Sequence, residues 1–317
     1  MMREVKAALE KGKKLELAGK LALLAATVIW GGSFFVMKDA LDDIPPHLLL
    51  GVRFTLGPLL LALIFFRRLK KLDARYIWQG GLTGLLLFGA YCAQTLGLAG
   101  TTPGKNAFLT AVYCMIVPFL SWIVDRVRPD AYNFIAAAVC IAGIGLVSLG
   151  SGLSVEKGDV LTLVGGFFFA AHMVAVARFG RDKDPAIFTA VQFAAAAVPA
   201  WIVWAVFESR GTDFAILVSP GAVFDLVYLI VGATAACMLL QNIGQKYTDP
   251  SSAALILTLE SVFGVIFSVI FYHERLTPRL AAGFSLIFIA VVISETKLGF
   301  LRRRAGSAAA RKSEDIS

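Results

Sequence analysis

The chain has 317 residues, 58% of them hydrophobic and 16% charged, with a mean hydropathy of +0.75 and a formal net charge of +8. A soluble domain of this length covers its surface with far more charge, so soluble α/β folds are excluded. The cations stand in short clusters between apolar runs, as membrane topology signals do, and no nucleic-acid partner is expected.

Taken in order, residues 1–19 form a basic N-terminal segment in which 3–16 read as a short amphipathic cytoplasmic helix. The apolar stretch from Leu21 to Met37 lacks a small-x-small cleavage pattern before Lys38 and Asp39, so it reads as a retained first span. Ten apolar runs follow one another at 20–38, 47–66, 76–99, 103–124, 131–150, 158–178, 185–207, 225–246, 250–272 and 278–296. Most have the length of roughly 18 or more residues that a helix needs to cross the hydrocarbon. Pro46, Pro103, Pro185, Pro250 and Pro278 stand at or near helix starts, where the missing N–H costs nothing. The tenth run is the weakest, with Arg279 and Glu295 at its ends. Beyond it, 297–317 reads as a basic, disordered cytoplasmic tail. With the N-terminus inside, 23 Lys and Arg residues fall on the cytoplasmic side and 6 on the other, with Arg53 inside a span. That bias predicts a multi-pass inner-membrane protein with both termini cytoplasmic.

The two halves, 20–150 and 157–296, repeat each other. At an offset of 139, Gly19 matches Gly158, Pro46 matches Pro185, and Arg53-Phe54 matches Gln192-Phe193. At 147, Gln94, Gly97, Pro103 and Ala107 match Gln241, Gly244, Pro250 and Ala254. Five spans per half is an odd number, so the second copy enters the bilayer upside down. The expected fold is therefore all-α and integral to the membrane, with ten helices in two inverted five-helix repeats. Such repeats swap inward- and outward-open shapes around a midplane site in secondary transporters.

Trp30-Gly31-Gly32-Ser33-Phe34 and Arg53-Phe54 lie in the first two spans. Phe108-Leu109-Thr110-Ala111-Val112-Tyr113 with Pro118 lies in the fourth. Leu259-Glu260 and then Glu274-Arg275-Leu276-Thr277 mark the ninth. In their order and spacing these resemble the drug/metabolite transporter superfamily, in its ten-span EamA-type branch, over about residues 17–296. Ser261 departs from the family's usual Pro, and Asp125-Arg126 from its Glu-Arg. The resemblance implies export of small metabolites.

Candidate site residues follow from depth. Trp30 and Tyr113, with their repeat partners Phe169 and Glu260, fall near the midplane, and Ser33 pairs with His172 one turn on. Glu260 is the only acidic side chain well inside a span, and it reads either as a proton-coupling group or as a structural carboxylate. His172 reads as a proton relay or as a satisfied core residue. Arg53 reads as structural or gating, as does Gln245. Gln94 and Gln241 flank the expected cavity from opposite sides, lining it or pinning helices together. Tyr91 shares a face with Gln94 and offers a ring for stacking.

Gly100-Thr-Thr-Pro-Gly-Lys-Asn lacks the spacing of a P-loop, and no nucleophile–base pair or metal cluster is visible. His47 and His273 lie near the outer ends without an evident carboxylate. The four cysteines read as small buried hydrophobes. No cofactor, metal or enzymatic activity is expected, and oligomeric state is open. The expected cargo is amino acids or related neutral or amphipathic metabolites, with protons as a candidate coupling ion. Sugar phosphates, nucleotide sugars or cationic drugs are the alternative cargoes, and a membrane-embedded lipid enzyme is the reading from another class.

Overall fold

A computed structural model describes residues 2–126, 128–149, 155–180, 182–210, 212–248 and 256–297, without the side chains of 2–9, 11, 242, 245 and 246. Pro250, Ala254, the Gln245 side chain and the tail beyond 297 lie outside that description. The ten spans appear as α1 (Met2–Asp43), α2 (Pro46–Ile64), α3 (Ala74–Ala99), α4 (Pro103–Asp125), α5 (Ala131–Ser148) and α6 (Lys157–Phe179), followed by α7 (Pro185–Glu208), α8 (220–247), α9 (Leu259–Phe271) and α10 (Pro278–Thr296). Among the described residues nine of these are long and apolar enough to cross a membrane. Below that length is only the described part of α9, which follows the undescribed 249–255; the tenth run, Pro278–Thr296, is among the nine. The segment 3–16 is no separate helix: α1 runs without a break through it.

Local chemistry sets the ends. Pro46, Pro103, Pro185 and Pro278 each occupy the first turn of a helix, and Thr102, Asp130, Asp184 and Thr277 cap backbone N–H groups. Asp130 and Asn133 form a reciprocal capping box at the start of α5. The stretch Tyr228–Ala236 inside α8 is π-helical, and α4 breaks for one residue at Val112.

The inversion is visible in which ends meet. One face of the bundle, here the terminal face, carries the start of α1 and the end of α10; the other is the far face. His47 at the start of α2 meets Glu208 at the end of α7, while Arg68 and Lys71 beyond α2 meet Asp184 before α7. The N–H of Gly104, opening α4, donates to Glu274 just past α9. Lys297 after α10 pairs with Asp130 before α5 at 2.7 Å, and Arg279 at the start of α10 donates to Leu146 and Leu149 carbonyls at the end of α5. Equivalent helices of the two halves (α2 with α7, α4 with α9, α5 with α10) are thus antiparallel neighbours. Backbone conformation repeats as well. Arg126 after α4 and His273 after α9, 147 residues apart, both turn left-handed, at φ 61° and 55°.

Packing follows the same exchange. Gly97 of α3 crosses Gly158 of α6, and Gly19 of α1 crosses Gly244 of α8. A Cβ on Gly97 would stand 2.8 Å from the Gly158 carbonyl oxygen, and one on Gly244 would stand 2.9 Å from that of Gly19. Small residues let the backbones touch, as membrane helices need when no water drives them together. Toward the far face α1, α2 and α8 share one apolar core, and α4, α5 and α10 share another.

Candidate functional site

Between the two crossings lies a chain of rings drawn from both halves. Phe193 of α7 packs on Phe54 of α2, Phe54 on Tyr91 of α3, Tyr91 on Phe169 of α6, and Phe169 on Tyr113 of α4, with centroids 5.2–6.2 Å apart. The Arg53 guanidinium sits 4.8 Å from the Tyr91 ring centroid, as a cation over a π face. Arg53 is only 1% exposed; its Nε donates to Thr234 Oγ1 at 2.9 Å, and no carboxylate pairs with it among the described residues. The π-helical stretch of α8 supplies this contact. It also supplies the Ala233 carbonyl that accepts the Trp30 indole N–H at 2.7 Å. Insertions of this kind re-aim backbone groups and recur at functional sites.

Glu260 approaches the same rings from α9. It lies eleven residues before Phe271, about 16 Å from the far end of the helix. Glu260 keeps some accessible surface and has no hydrogen bond or ion pair among the described residues. A carboxylate at this depth without a partner calls for a proton, water or a ligand cation.

The other candidates separate. Tyr91 and Tyr113 come together at the rings with Phe169 and Arg53, and Glu260 stands at a similar depth on α9. His172 lies beyond them toward the terminal face and bonds Gln192 Oε1 at 2.6 Å; Gln192 is the repeat counterpart of Arg53. Ser33 turns back to its own helix, donating to the Trp30 carbonyl. Gln94 is 4% exposed, donates to Thr110 Oγ1 at 3.0 Å and sits in the α3–α4 contact. Its counterpart Gln241 is only partly buried. The Gln245 side chain lies outside the described residues.

The far face holds two clusters that spacing did not reveal. Lys105 Nζ lies 2.8 Å from Asp159, which is 0% exposed, and 2.7 Å from Glu156; Thr101 also donates to Asp159, and Asn106 to Thr162. These contacts seal α4 to α6 across the halves. The second cluster corrects the reading of His47 as lacking a carboxylate. Its Nδ1 meets Glu208 at 2.5 Å, and its Nε2 lies 3.3 Å from Cys92 Sγ. With His47 and Glu208 161 positions apart, no local motif could announce the pair.

Comparison with known proteins agrees with the helix pattern. The EamA-like transporter family profile matches residues 17–149 and again 156–296. A protein of Archaeoglobus fulgidus named "Uncharacterized transporter" is 34% identical over 290 residues, covering 87% of this chain and 85% of its own. YvbV of Bacillus subtilis, named as an uncharacterized transporter, is 27% identical over 90% of this chain and 94% of its own. YedA of Escherichia coli, named as an uncharacterized inner membrane transporter, is 30% identical over about half of each chain, 50% and 52%. A solved crystal structure matches with a TM-score of 0.63 at 18% identity, over 88% of this chain and 98% of that one, a likeness of fold.

Proposed function

The chain belongs to the EamA-like transporter family, and from that premise we propose that it is a secondary transporter exporting small amine-bearing metabolites, amino acids foremost. The halves exchange access around the ring-lined region at mid-depth. The observation that carries this reading is Glu260, set at mid-depth of α9 at the level of the rings and without a partner among the described residues. A carboxylate among aromatic faces suits an ammonium group, which gains both charge attraction and cation–π contact.

Glu260 also serves the coupling step. A carboxylate that holds either a proton or the substrate's ammonium links entry of one to exit of the other. The termini lie in the cytoplasm, on the side that gathers 23 of the 30 Lys and Arg residues, in the inner membrane.

Among other cargoes, a lipophilic cation is favoured by the same carboxylate and rings. A sugar phosphate is not, because its anion would need a free cation, and the two cations described nearest the rings and the far-face crossing are both engaged. Arg53 is sealed against Thr234 and Tyr91, and Lys105 is held by Asp159 and Glu156.

Reconstitution into liposomes tests the proposal, with a panel of amino acids and an imposed pH gradient. Glu260→Gln is expected to abolish both pH-driven transport and downhill exchange of the amine, because the amide holds neither the proton nor the ammonium. Wild-type exchange in Glu260→Gln would remove both roles from Glu260.

A further inference from the structure

The cluster beside the far face ties α7 to the start of α2 and also sets an imidazole against a thiol. Glu208 is pinned at the start of α2, where its Oε2 accepts the backbone N–H of His47 at 2.9 Å and of Leu48 at 3.3 Å. Its Oε1 meets His47 Nδ1 at 2.5 Å, which assigns the imidazole proton to Nδ1. His47 Nε2 is then a bare acceptor, and what stands 3.3 Å from it is the Cys92 thiol. Nucleophile, base and orienting carboxylate stand in series, the arrangement by which proteins activate a side-chain nucleophile.

Access singles out the same thiol. Cys114, Cys140 and Cys237 are buried, whereas Cys92 is partly exposed. It lies seven residues before the end of α3, about 10 Å below the far end of that helix. At that depth, inside an apolar span, a reagent that reaches it from the bilayer is a lipophilic one.

We infer that Cys92 is a covalent modification site for α,β-unsaturated carbonyl compounds dissolved in the membrane, with His47 as its base and Glu208 as the positioning residue. In the addition, the thiol proton passes from Sγ to His47 Nε2 and a sulfur–carbon bond forms at the β-carbon. The C=C π pair moves to the α-carbon, which then takes the proton back from Nε2. The step is redox-neutral and releases nothing. While the proton resides on the imidazole, Glu208 holds the resulting cation. An adduct there lies between α2 and α3 of one half and α7 of the other.

N-Ethylmaleimide is a suitable probe, applied to the full-length protein in liposomes and followed by peptide mass spectrometry. Cys92 is expected to react first, at one equivalent per chain, and at least about tenfold faster than in His47→Asn, with Glu208→Gln between the two. Because His47→Asn can loosen the α2–α7 contact, a second comparison leaves the cluster in place. The thiol introduced by Leu96→Cys in a Cys92→Ser chain shares the helix and similar exposure but has no imidazole, and it is expected to react at least about tenfold more slowly than Cys92. Equal rates for these two thiols, wild-type or faster labelling in His47→Asn, or a Cys92 as inert as the three buried cysteines would each overturn the inference.

Discussion

The crossing of Gly97 with Gly158 and the crossing of Gly19 with Gly244 are copies of one piece of geometry, yet their surroundings differ. Near the first, on the far face, Asp159, Lys105, Thr101 and Asn106 knit α4 to α6. Near the second, the residue matching Asp159 is Lys20, an exposed side chain paired with Glu16 one turn away on its own helix. Just inside the first crossing, Leu109, Thr110 and Val112 are buried, whereas their counterparts Ile256, Leu257 and Leu259 are partly accessible. The repeat fixes where backbones meet; the side chains decide which end is sealed. Among the described residues, the far-face crossing is the more tightly knit of the two.

Removing charge at the two matched positions is the strongest way to break that contrast. Asp159→Asn keeps the shape but leaves the Lys105 ammonium short of its buried partner, a loss of about 3–5 kcal/mol for a broken buried pair. Lys20→Gln breaks a half-exposed pair with Glu16 rather than a buried one and is expected to cost less. Thermal unfolding in detergent reads the difference, and comparable losses would mean that the far face is not specially sealed.

A methyl group at the glycines separates the crossings next. On Gly158 it would meet only backbone, the carbonyl carbon and oxygen of Gly100 at 2.5 Å and the Gly97 oxygen at 2.7 Å. On Gly19 its nearest neighbour is the Thr248 hydroxyl at 2.8 Å, a side chain that can turn away. Gly158→Ala is expected to cost about 1–3 kcal/mol, in the range for overpacking, and Gly19→Ala less. The reverse order in melting temperature would contradict the geometry.

The paired amides give a finer test. Gln94→Ala strips a buried hydrogen bond to Thr110 and is expected to destabilise by about 1–2 kcal/mol. Gln241→Ala should leave stability within about 0.5 kcal/mol and act on transport rate instead. Equal melting temperatures for the two variants would place both amides in the same environment.

Acid titration probes the terminal-face clasps and carries the smallest effect. The Lys297 ammonium, hydrogen-bonded to Asp130, holds that carboxyl below its ordinary range. At Asp184 burial pushes upward, but Lys71 and Arg68 outweigh it and leave the carboxyl lowered. Groups depressed in the folded state stabilise it above their unfolded value, near pH 4, and that contribution fades as pH falls through the lowered one. Each clasp is solvent-screened and contributes about a few tenths of a kcal/mol. The melting temperature is therefore expected to slope down gently below pH 4, with a smaller slope in Lys297→Met. An unchanged slope would show that the Asp130 clasp is idle.

Much of the scaffold was legible because it rests on local or repeated chemistry. Proline at a first turn, apolar run length and the matched Gln-x-x-Gly-x5-Pro are properties of short segments. The glycines that mark the repeat are the very points where helices touch. The sites were less legible because their partners are far apart in sequence. Glu274 reaches across about 170 residues to the N–H of Gly104, and His47 finds Glu208 and Cys92 only once α2, α3 and α7 are packed. Gln94 and Gln241 show a further limit. Their motifs are the same, but burial separates them, and burial depends on which face the whole bundle closes.

The central claim is that one ring-lined region is opened in turn from the two faces, and accessibility at the paired amides tests it most directly. Single cysteines introduced by Gln94→Cys or Gln241→Cys, in a chain whose four native cysteines are replaced, can be labelled from each face of a liposome with and without a transported amine. The account predicts reciprocal change: whenever substrate raises labelling at 94 from the far face, it lowers labelling at 241 from the terminal face. Parallel change at both positions, or labelling of both from the same face, would contradict it.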